Sequence, residues 1–235
     1  VLLMLDVIDA QWTATPTARV HLMGHSWGGL LGLSTLLDTE ISERLAGWIE
    51  VGGVHDVPAT YAASRALALA EASAQAGKGD DGDAWTDIRD RLKQTPAALG
   101  GVASLVEEQE LARDAEALMD TIAGDAQVSG QGRQAAPGSP LNWAGANRRA
   151  ATQALGEVVD LELDDELLTL TLPTLMIWGA HDLASPVAQA EQSVHRIGSE
   201  VVELTVLGRS GHAPMFSQPD GFADAVLTFV AAGQP

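Results

Sequence analysis

The fold is decided by the stretch Gly24-His25-Ser26-Trp27-Gly28, which fits the pattern G-x-S-x-G. In this pattern a sharp turn joins a buried strand to a helix and exposes a serine hydroxyl as a nucleophile. Residues 19–23 read as the strand, and leucines recur at helical spacing after the turn. We expect Gly24 and Gly28 to be needed sterically, because strand and helix crowd together at such a turn.

An acid and a histidine follow two later strands. A serine hydroxyl needs a histidine to take its proton and a carboxylate to orient that histidine. The apolar run 172–179 leads to Asp182, and the predicted strand 201–207 leads to His212. Each side chain therefore stands just beyond the end of a strand. The order serine, aspartate, histidine is the order of the catalytic triad in the α/β-hydrolase fold.

On these three motifs the chain resembles the α/β-hydrolase superfamily, and the form GHSWGG is most similar to its proline iminopeptidase-like branch. The resemblance implies an acyl-enzyme on Ser26, with His212 as general base and Asp182 as its orienting acid. It also implies that the backbone N–H of Trp27 stabilises the oxyanion. Similar turns serve esterases and other acyl hydrolases. Ester hydrolysis is therefore the alternative to the removal of an N-terminal amino acid.

Asp56 competes with Asp182 for the role of the acid, because it follows the preceding strand, where some relatives place this residue. We favour Asp182, which stands in the Trp-Gly-x-x-Asp context that is commoner in the superfamily. Asp56 is then expected to cap the helix that begins near Pro58. We expect the His25 side chain to point away from the catalytic face. His55 has no partner visible in the sequence and is interpreted as an ordinary core or surface histidine.

Residues 56–170 predict a helical insertion between two strands, because they contain alanine-rich amphipathic stretches and no convincing strand. Its position is similar to that of the superfamily's cap domain, so residues 1–55 and 171–235 would form the α/β core. Ser104-Leu105-Val106-Glu107 fits a capping box at the start of one of its helices. We expect its Asp and Glu side chains to lie mostly on solvated faces. Their excess over basic side chains favours small neutral or cationic acyl substrates over long-chain lipids.

The serine turn lies close to the first residue of the sequence. In the superfamily it follows the fifth strand of eight, whereas here only a predicted helix over residues 1–12 and a turn precede the strand. We therefore expect the chain to be a fragment with a parallel sheet of the last four strands, without the loop that supplies a second oxyanion donor. Val20–Met23 would then be an exposed apolar edge. At this edge the isolated chain is expected to associate with other chains, with poor solubility and little turnover.

The composition argues against several classes of partner. A net charge of −19 over 235 residues disfavours nucleic acids and anionic membranes as partners. Cysteine is absent, which excludes disulfides and thiolate metal sites. No apolar run approaches the roughly 20 residues that a membrane-spanning helix requires. We expect a small-molecule or short-peptide substrate, no cofactor and no metal; the cellular location stays open, with the cytoplasm favoured.

Overall fold

The structure, a computed structural model, describes residues 1–11, 20–122 and 155–232. Residues 123–154 of the predicted insertion, and the predicted turn before the first strand, lie outside these ranges. Within them, four strands form one sheet: β1 (His21–His25), β2 (Gly47–Val51), β3 (Thr174–Gly179) and β4 (Val202–Leu207). The strands are all parallel and lie side by side in the order β1-β2-β3-β4. The predicted four-stranded parallel sheet is confirmed.

Helices precede, connect and follow these strands. They are α1 (Leu2–Gln11), α2 (Trp27–Leu36), α3 (Thr39–Ser42), α4 (Val57–Gln75), α5 (Gly82–Gln94), α6 (Val102–Ile122), a 3-10 helix (Glu166–Thr169), α7 (Val187–Ser193), α8 (Pro214–Ser217) and α9 (Pro219–Ala232). The helices α4, α5 and α6 all stand between β2 and β3 in the chain, where the sequence predicts a helical insertion.

Both faces of the sheet are covered, which explains why the central strands β2 and β3 are buried along their whole length and mostly apolar, with Glu50 and Thr174 as buried polar residues. Successive side chains of a strand point to opposite faces. On one face, Trp48 of β2 and Trp178 of β3 belong to the same buried cluster as Leu33 of α2. On the other face, Ile49 of β2 clusters with Phe229 of α9. Covered faces of this kind require continuous apolar runs rather than alternating ones.

The helices α4, α5 and α6 pack on one another around a small core of their own. Trp85 of α5 and Leu111 of α6 are fully buried in it, and Leu183, from the loop after β3, joins the same cluster. The two ends of this helical region lie side by side, because the N–H of Val57 donates to the carbonyl of Leu161 at 2.9 Å. The division of the chain at residues 56 and 170 stays a prediction.

Two predicted boundaries are wrong. β1 begins and ends two residues later than the predicted strand 19–23, because its pairing with β2 continues through His25 up to the serine. The capping box predicted from Ser104 is also incorrect. The helix α6 begins earlier, at Val102, and the Ser104 hydroxyl donates to the carbonyl of Gly101 from within the first turn.

β1 lies at one edge of the described sheet, and Met23 in it is 46% exposed. An apolar edge strand is a surface on which other strands can pair. The association predicted for Val20–Met23 nevertheless stays a prediction, because a single chain does not test it.

Gly32→Ala is expected to destabilise the protein, because α2 lies directly against Trp48. A Cβ at position 32 would stand 2.1 Å from the buried Trp48 ring. We expect a loss of about 1–3 kcal/mol in the free energy of unfolding, measured by urea denaturation. Gly28→Ala on the same helix is the control, because its Cβ would meet no atom within 4 Å. Its expected effect is zero, or a gain of up to about 1 kcal/mol. Equal losses in both variants would contradict this packing.

Candidate active site

Ser26 lies between β1 and α2 in a backbone conformation that few residues adopt. Its φ is 57° and its ψ is −122°, and among the described residues it is the one non-glycine with a positive φ. Such a conformation costs about 1–3 kcal/mol, which surrounding contacts must offset. One of these contacts is the Ser26 N–H, which donates to the Val51 carbonyl of β2 at 2.9 Å.

The glycines around Ser26 differ in what they allow. A Cβ at Gly24 would lie 2.2 Å from the carbonyl oxygen of Gly28, so a larger residue cannot occupy position 24 without a shift. The steric role expected of Gly28 itself is not found, because a Cβ there would meet open space. Gly29 is the second crowded position, since its Cβ would approach the Cα of Gly53 to 2.7 Å. The backbone is therefore crowded at positions 24 and 29, where α2 lies close to β2 and to the loop that follows β2.

His212 lies in the loop between β4 and α8 and contacts both other residues of the predicted triad. Its Nε2 is 2.8 Å from the Ser26 hydroxyl oxygen. Its Nδ1 is 3.0 and 3.1 Å from the two carboxylate oxygens of Asp182. The structure thus brings together the three residues in the hydrogen-bonded series that the sequence predicts. Their catalytic roles stay a prediction.

Asp182 lies in the loop after β3 and is almost completely buried, with 1% of its surface exposed. Its Oδ1 accepts hydrogen bonds from the backbone N–H groups of Ala184 at 3.0 Å and Ser185 at 2.7 Å. The neighbouring position 52 must be small, because a Cβ on Gly52 would lie 3.1 Å from Oδ2 of Asp182 and 3.2 Å from Nδ1 of His212. The carboxylate is therefore held in one orientation.

The pKa of His212 is raised above its ordinary value. Burial alone would lower it, but the charge and hydrogen bond of the Asp182 carboxylate, together with the charge of Glu116, more than offset burial. A raised pKa means that the imidazolium is stabilised once the ring accepts a proton. The neutral ring, which can act as a base, is correspondingly the major form only at a higher pH than for an ordinary histidine.

Asp56, the alternative acid, has the structural contact expected of a helix cap. Its Oδ1 accepts the N–H of Ala59 at 2.7 Å, at the start of α4. It also pairs with Glu162 in an isolated antiparallel bridge between the two ends of the insertion. The carboxylate at Nδ1 of His212 is that of Asp182.

Trp27 is the first residue of α2, directly after the serine. The N–H groups of the first turn of a helix have no partner within the helix and carry partial positive charge. This position suits the role of oxyanion donor expected for its N–H, and that role stays a prediction. The Trp27 side chain lines an apolar cavity of about 410 Å³ together with Leu30 and Leu31 of α2 and Val158 and Leu161.

The expectation for His25 is wrong. Its side chain does not point away from the site: its ring lies 4.9 Å from the His212 ring, and its Nε2 is 2.7 Å from the His212 carbonyl oxygen. A carbonyl oxygen only accepts, so Nε2 of His25 carries the proton and donates. Burial lowers the pKa of His25, in keeping with a neutral ring. The sequence holds no signal for this contact, because no motif pairs the residue before the nucleophile with the backbone of His212.

Glu116, which the sequence pattern predicts to be one of the solvated acidic residues of the insertion, reaches the site from α6. Its carboxylate accepts the N–H of Leu183 at 2.6 Å and the N–H of His212 at 3.1 Å. Burial, followed by the negative charge of Asp182, raises the pKa of Glu116 to about 7. The helical pattern of α6 gives no indication of this position, since the two loops that it contacts come much later in the chain.

His55 is part of a second series of serine, histidine and carboxylate. Its Nδ1 is 2.8 Å from the Ser193 hydroxyl oxygen, and its Nε2 is 2.8 and 2.9 Å from the Glu50 carboxylate oxygens. Burial would lower the pKa of His55, but the Glu50 carboxylate more than offsets it. Ser193 is only 3% exposed and Glu50 only 1%. Ser193 and His55 line a cavity of only about 40 Å³, which is too small for an ester substrate, so we interpret this series as part of the core.

Among the described residues, no group of three or more His, Cys, Asp or Glu side chains is placed to hold a metal ion. In the same ranges, no helix combines the length and the apolar character needed to cross a membrane.

Comparison with known proteins agrees with this geometry. The family described as "Alpha/beta hydrolase family" matches residues 2–225. The chain belongs to this family. The match covers most of the chain, including the turn at Ser26 and the two loops that carry Asp182 and His212.

Individual relatives of this alpha/beta hydrolase share fold and part of the sequence. A pimeloyl-[acyl-carrier protein] methyl ester esterase of Aeromonas salmonicida is 38% identical over 82 residues, which are 34% of this chain and 32% of that protein. The match thus spans about a third of the length of that curated relative. A thermophilic esterase from Thermogutta terrifontis has a TM-score of 0.56 at 19% identity, covering 97% of this chain and 70% of that one. VinJ has a TM-score of 0.58 at 17% identity, with the same two coverages. The proline iminopeptidase-like branch stays a prediction.

Proposed function

We propose that this alpha/beta hydrolase is a serine hydrolase that cleaves carboxylic esters through an acyl-enzyme on Ser26. The observation that carries the proposal is the series of contacts at His212, with Ser26 at 2.8 Å from one ring nitrogen and Asp182 at 3.0 Å from the other. Such a series makes a serine hydroxyl nucleophilic at neutral pH.

The proposed reaction has two halves. Ser26 Oγ attacks the carbonyl carbon while its proton passes to Nε2 of His212. The tetrahedral intermediate collapses, the bond to the leaving alcohol breaks, and the alcohol takes the proton from Nε2. Water then attacks the acyl-enzyme by the same route and releases the acid. Asp182 keeps the Nδ1 proton in place and stabilises the imidazolium, which the raised pKa of His212 supports.

In the proposed mechanism, the backbone N–H of Trp27 at the start of α2 stabilises the oxyanion. Loss of one such donor costs about 3–4 kcal/mol in the transition state. A second donor is expected from the loop after the superfamily's third strand.

Ester hydrolysis is supported by the methyl ester esterase similarity, although that match covers only a third of the relative. Trp27, the residue after the nucleophile in the chain, lines an apolar cavity, and on this ground we take an apolar acyl group as the bound part of the substrate.

The second candidate is removal of an N-terminal amino acid, which the GHSWGG form of the turn favours. In that branch, glutamates of the cap hold the amino group of the substrate. In the described part of the insertion, one buried and one partly buried glutamate already have partners. Glu108 accepts from the Ser64 hydroxyl, and Glu116 accepts from two backbone N–H groups. This engagement favours ester over peptide as the substrate.

A fluorophosphonate probe tests the nucleophile, because it reacts with activated serines. We expect one label per chain, located on Ser26 by peptide mass spectrometry and lost in Ser26→Ala. Ser193→Ala is the matched control, since Ser193 also contacts a histidine but is buried. It should label at the wild-type rate. An unlabelled wild-type protein, or a label on another serine, would overturn the proposal.

Asp182→Asn is expected to lower kcat by about 10³ to 10⁴-fold, because an amide cannot stabilise the imidazolium or hold its tautomer. Asp56→Asn removes the same charge from the competing acid while keeping a side chain that can cap α4, so its kcat should stay close to the wild-type value. Steady-state kinetics on a chromogenic ester measures both. The reverse ranking of the two variants would show that Asp182 is not the acid.

A panel of chromogenic substrates separates the substrate classes. We expect turnover of short neutral or cationic acyl esters to exceed that of long-chain esters, because the insertion is acidic. Turnover of proline amide should be slower than that of short esters. Exclusive turnover of long-chain esters would refute the first expectation, and faster cleavage of proline amide would favour the aminopeptidase.

A further inference from the structure

Glu116 joins the helical insertion to both loops that carry the partners of Ser26. One carboxylate oxygen accepts the N–H of Leu183, the residue after Asp182, and the other accepts the N–H of His212 itself. We propose that Glu116 is a positioning residue, through which α6 holds Asp182 and His212 in register with Ser26. This inference rests on the proposed serine hydrolase function.

The contact with Leu183 is reinforced by packing. The Leu183 side chain is 2% exposed and belongs to the buried core that α4, α5 and α6 share. The loop after β3 is therefore held to the insertion by a hydrogen bond on its backbone and by an apolar side chain at the same residue. Because Asp182 precedes Leu183 directly, a shift of α6 would move the acid.

The contact with His212 is one of two that hold its peptide groups. Glu116 accepts the His212 N–H, and His25 donates to the His212 carbonyl at 2.7 Å. Glu116 belongs to the insertion, whereas His25 directly precedes the nucleophile in the chain. The space for the Glu116 carboxylate depends on the residue before His212, since a Cβ on Gly211 would lie 2.9 Å from Oε2. Two side chains from different parts of the fold thus fix the position of the His212 backbone.

Above its own pKa of about 7, Glu116 also adds a second negative charge beside His212. The charged and titratable groups that act on the imidazole are Asp182 and Glu116, which raise its pKa, Arg113 of α6, which lowers it, and His25, whose ring is adjacent. When the Glu116 carboxylate is replaced by a neutral amide, the pKa of His212 should therefore fall. The base form of His212 would then persist to lower pH, and the acid limb of kcat/KM would move in the same direction.

If Glu116 had only a structural role, its replacement would not shift the acid limb of the pH profile of kcat/KM. Binding of a substrate amine by Glu116 is also disfavoured, because each carboxylate oxygen already accepts a backbone N–H. A positioning role predicts a loss in kcat with little change in KM, since the substrate is bound elsewhere.

The test compares Glu116→Gln with Glu107→Gln, which makes the same change at an exposed position of α6. Both are made in the protein used for turnover. We measure kcat, KM, the pH profile of kcat/KM, the rate of fluorophosphonate labelling, and thermal stability. For Glu116→Gln we expect kcat and the labelling rate to fall at least about tenfold, because a hydrogen bond to a charged group is lost. KM should stay near the wild-type value and the acid limb should move to lower pH. Glu107→Gln should match the wild type.

Glu116→Asp is the second variant, because it keeps the charge but shortens the reach. Glu116→Asp should leave the acid limb of kcat/KM at its wild-type pH, while its kcat falls in part. It also keeps the proposal testable if Glu116→Gln does not fold. Unchanged kcat and acid limb in a folded Glu116→Gln would overturn the inference. A fall in kcat with an unchanged acid limb would reduce Glu116 to a structural contact and overturn it as well. Failure of the wild type to label at Ser26 would instead overturn the proposed function.

Discussion

The arrangement depends on one buried hydrogen bond, between the Asp182 carboxylate and Nδ1 of His212. A carboxylate that is 1% exposed is costly unless it is paired and hydrogen-bonded. Two backbone N–H groups of its own loop and the imidazole provide these partners. The same contact fixes the direction of the ring, and so it turns Nε2 toward Ser26. The glycine at position 52 leaves room for the pair.

The sheet brings the three residues together, because parallel strands end at the same edge and each residue stands just beyond such an end. β1 leads to Ser26, β3 to Asp182 and β4 to His212. The central strand β2 carries the Glu50 carboxylate, which with His55 and Ser193 forms a buried polar series in the core. Similar residue types thus form one partly exposed series and one buried series, and exposure of the serine distinguishes them.

The sequence predicts the site where a local pattern encodes it. The turn at Ser26 and the strand ends before Asp182 and His212 have such patterns, and they place these residues correctly at the ends of parallel strands. The contacts of His25 and Glu116 with His212 have none, because both are made to the backbone of His212 and no local motif marks either side chain as a partner of that loop. Gly28 is the opposite case, a motif position whose predicted steric role the structure does not show. Its place in the motif predicts crowding, whereas the crowding falls at residues 24 and 29.

The proposed mechanism requires Ser26 to form the covalent intermediate. The most direct measurement is to quench turnover of a chromogenic ester with acid on the millisecond scale and to map the acylated peptide by mass spectrometry. We expect an acyl group on Ser26 that appears before steady state and accumulates in a variant slowed at His212. Turnover of the ester without any acylated peptide, or with the acyl group on a different residue, would contradict it.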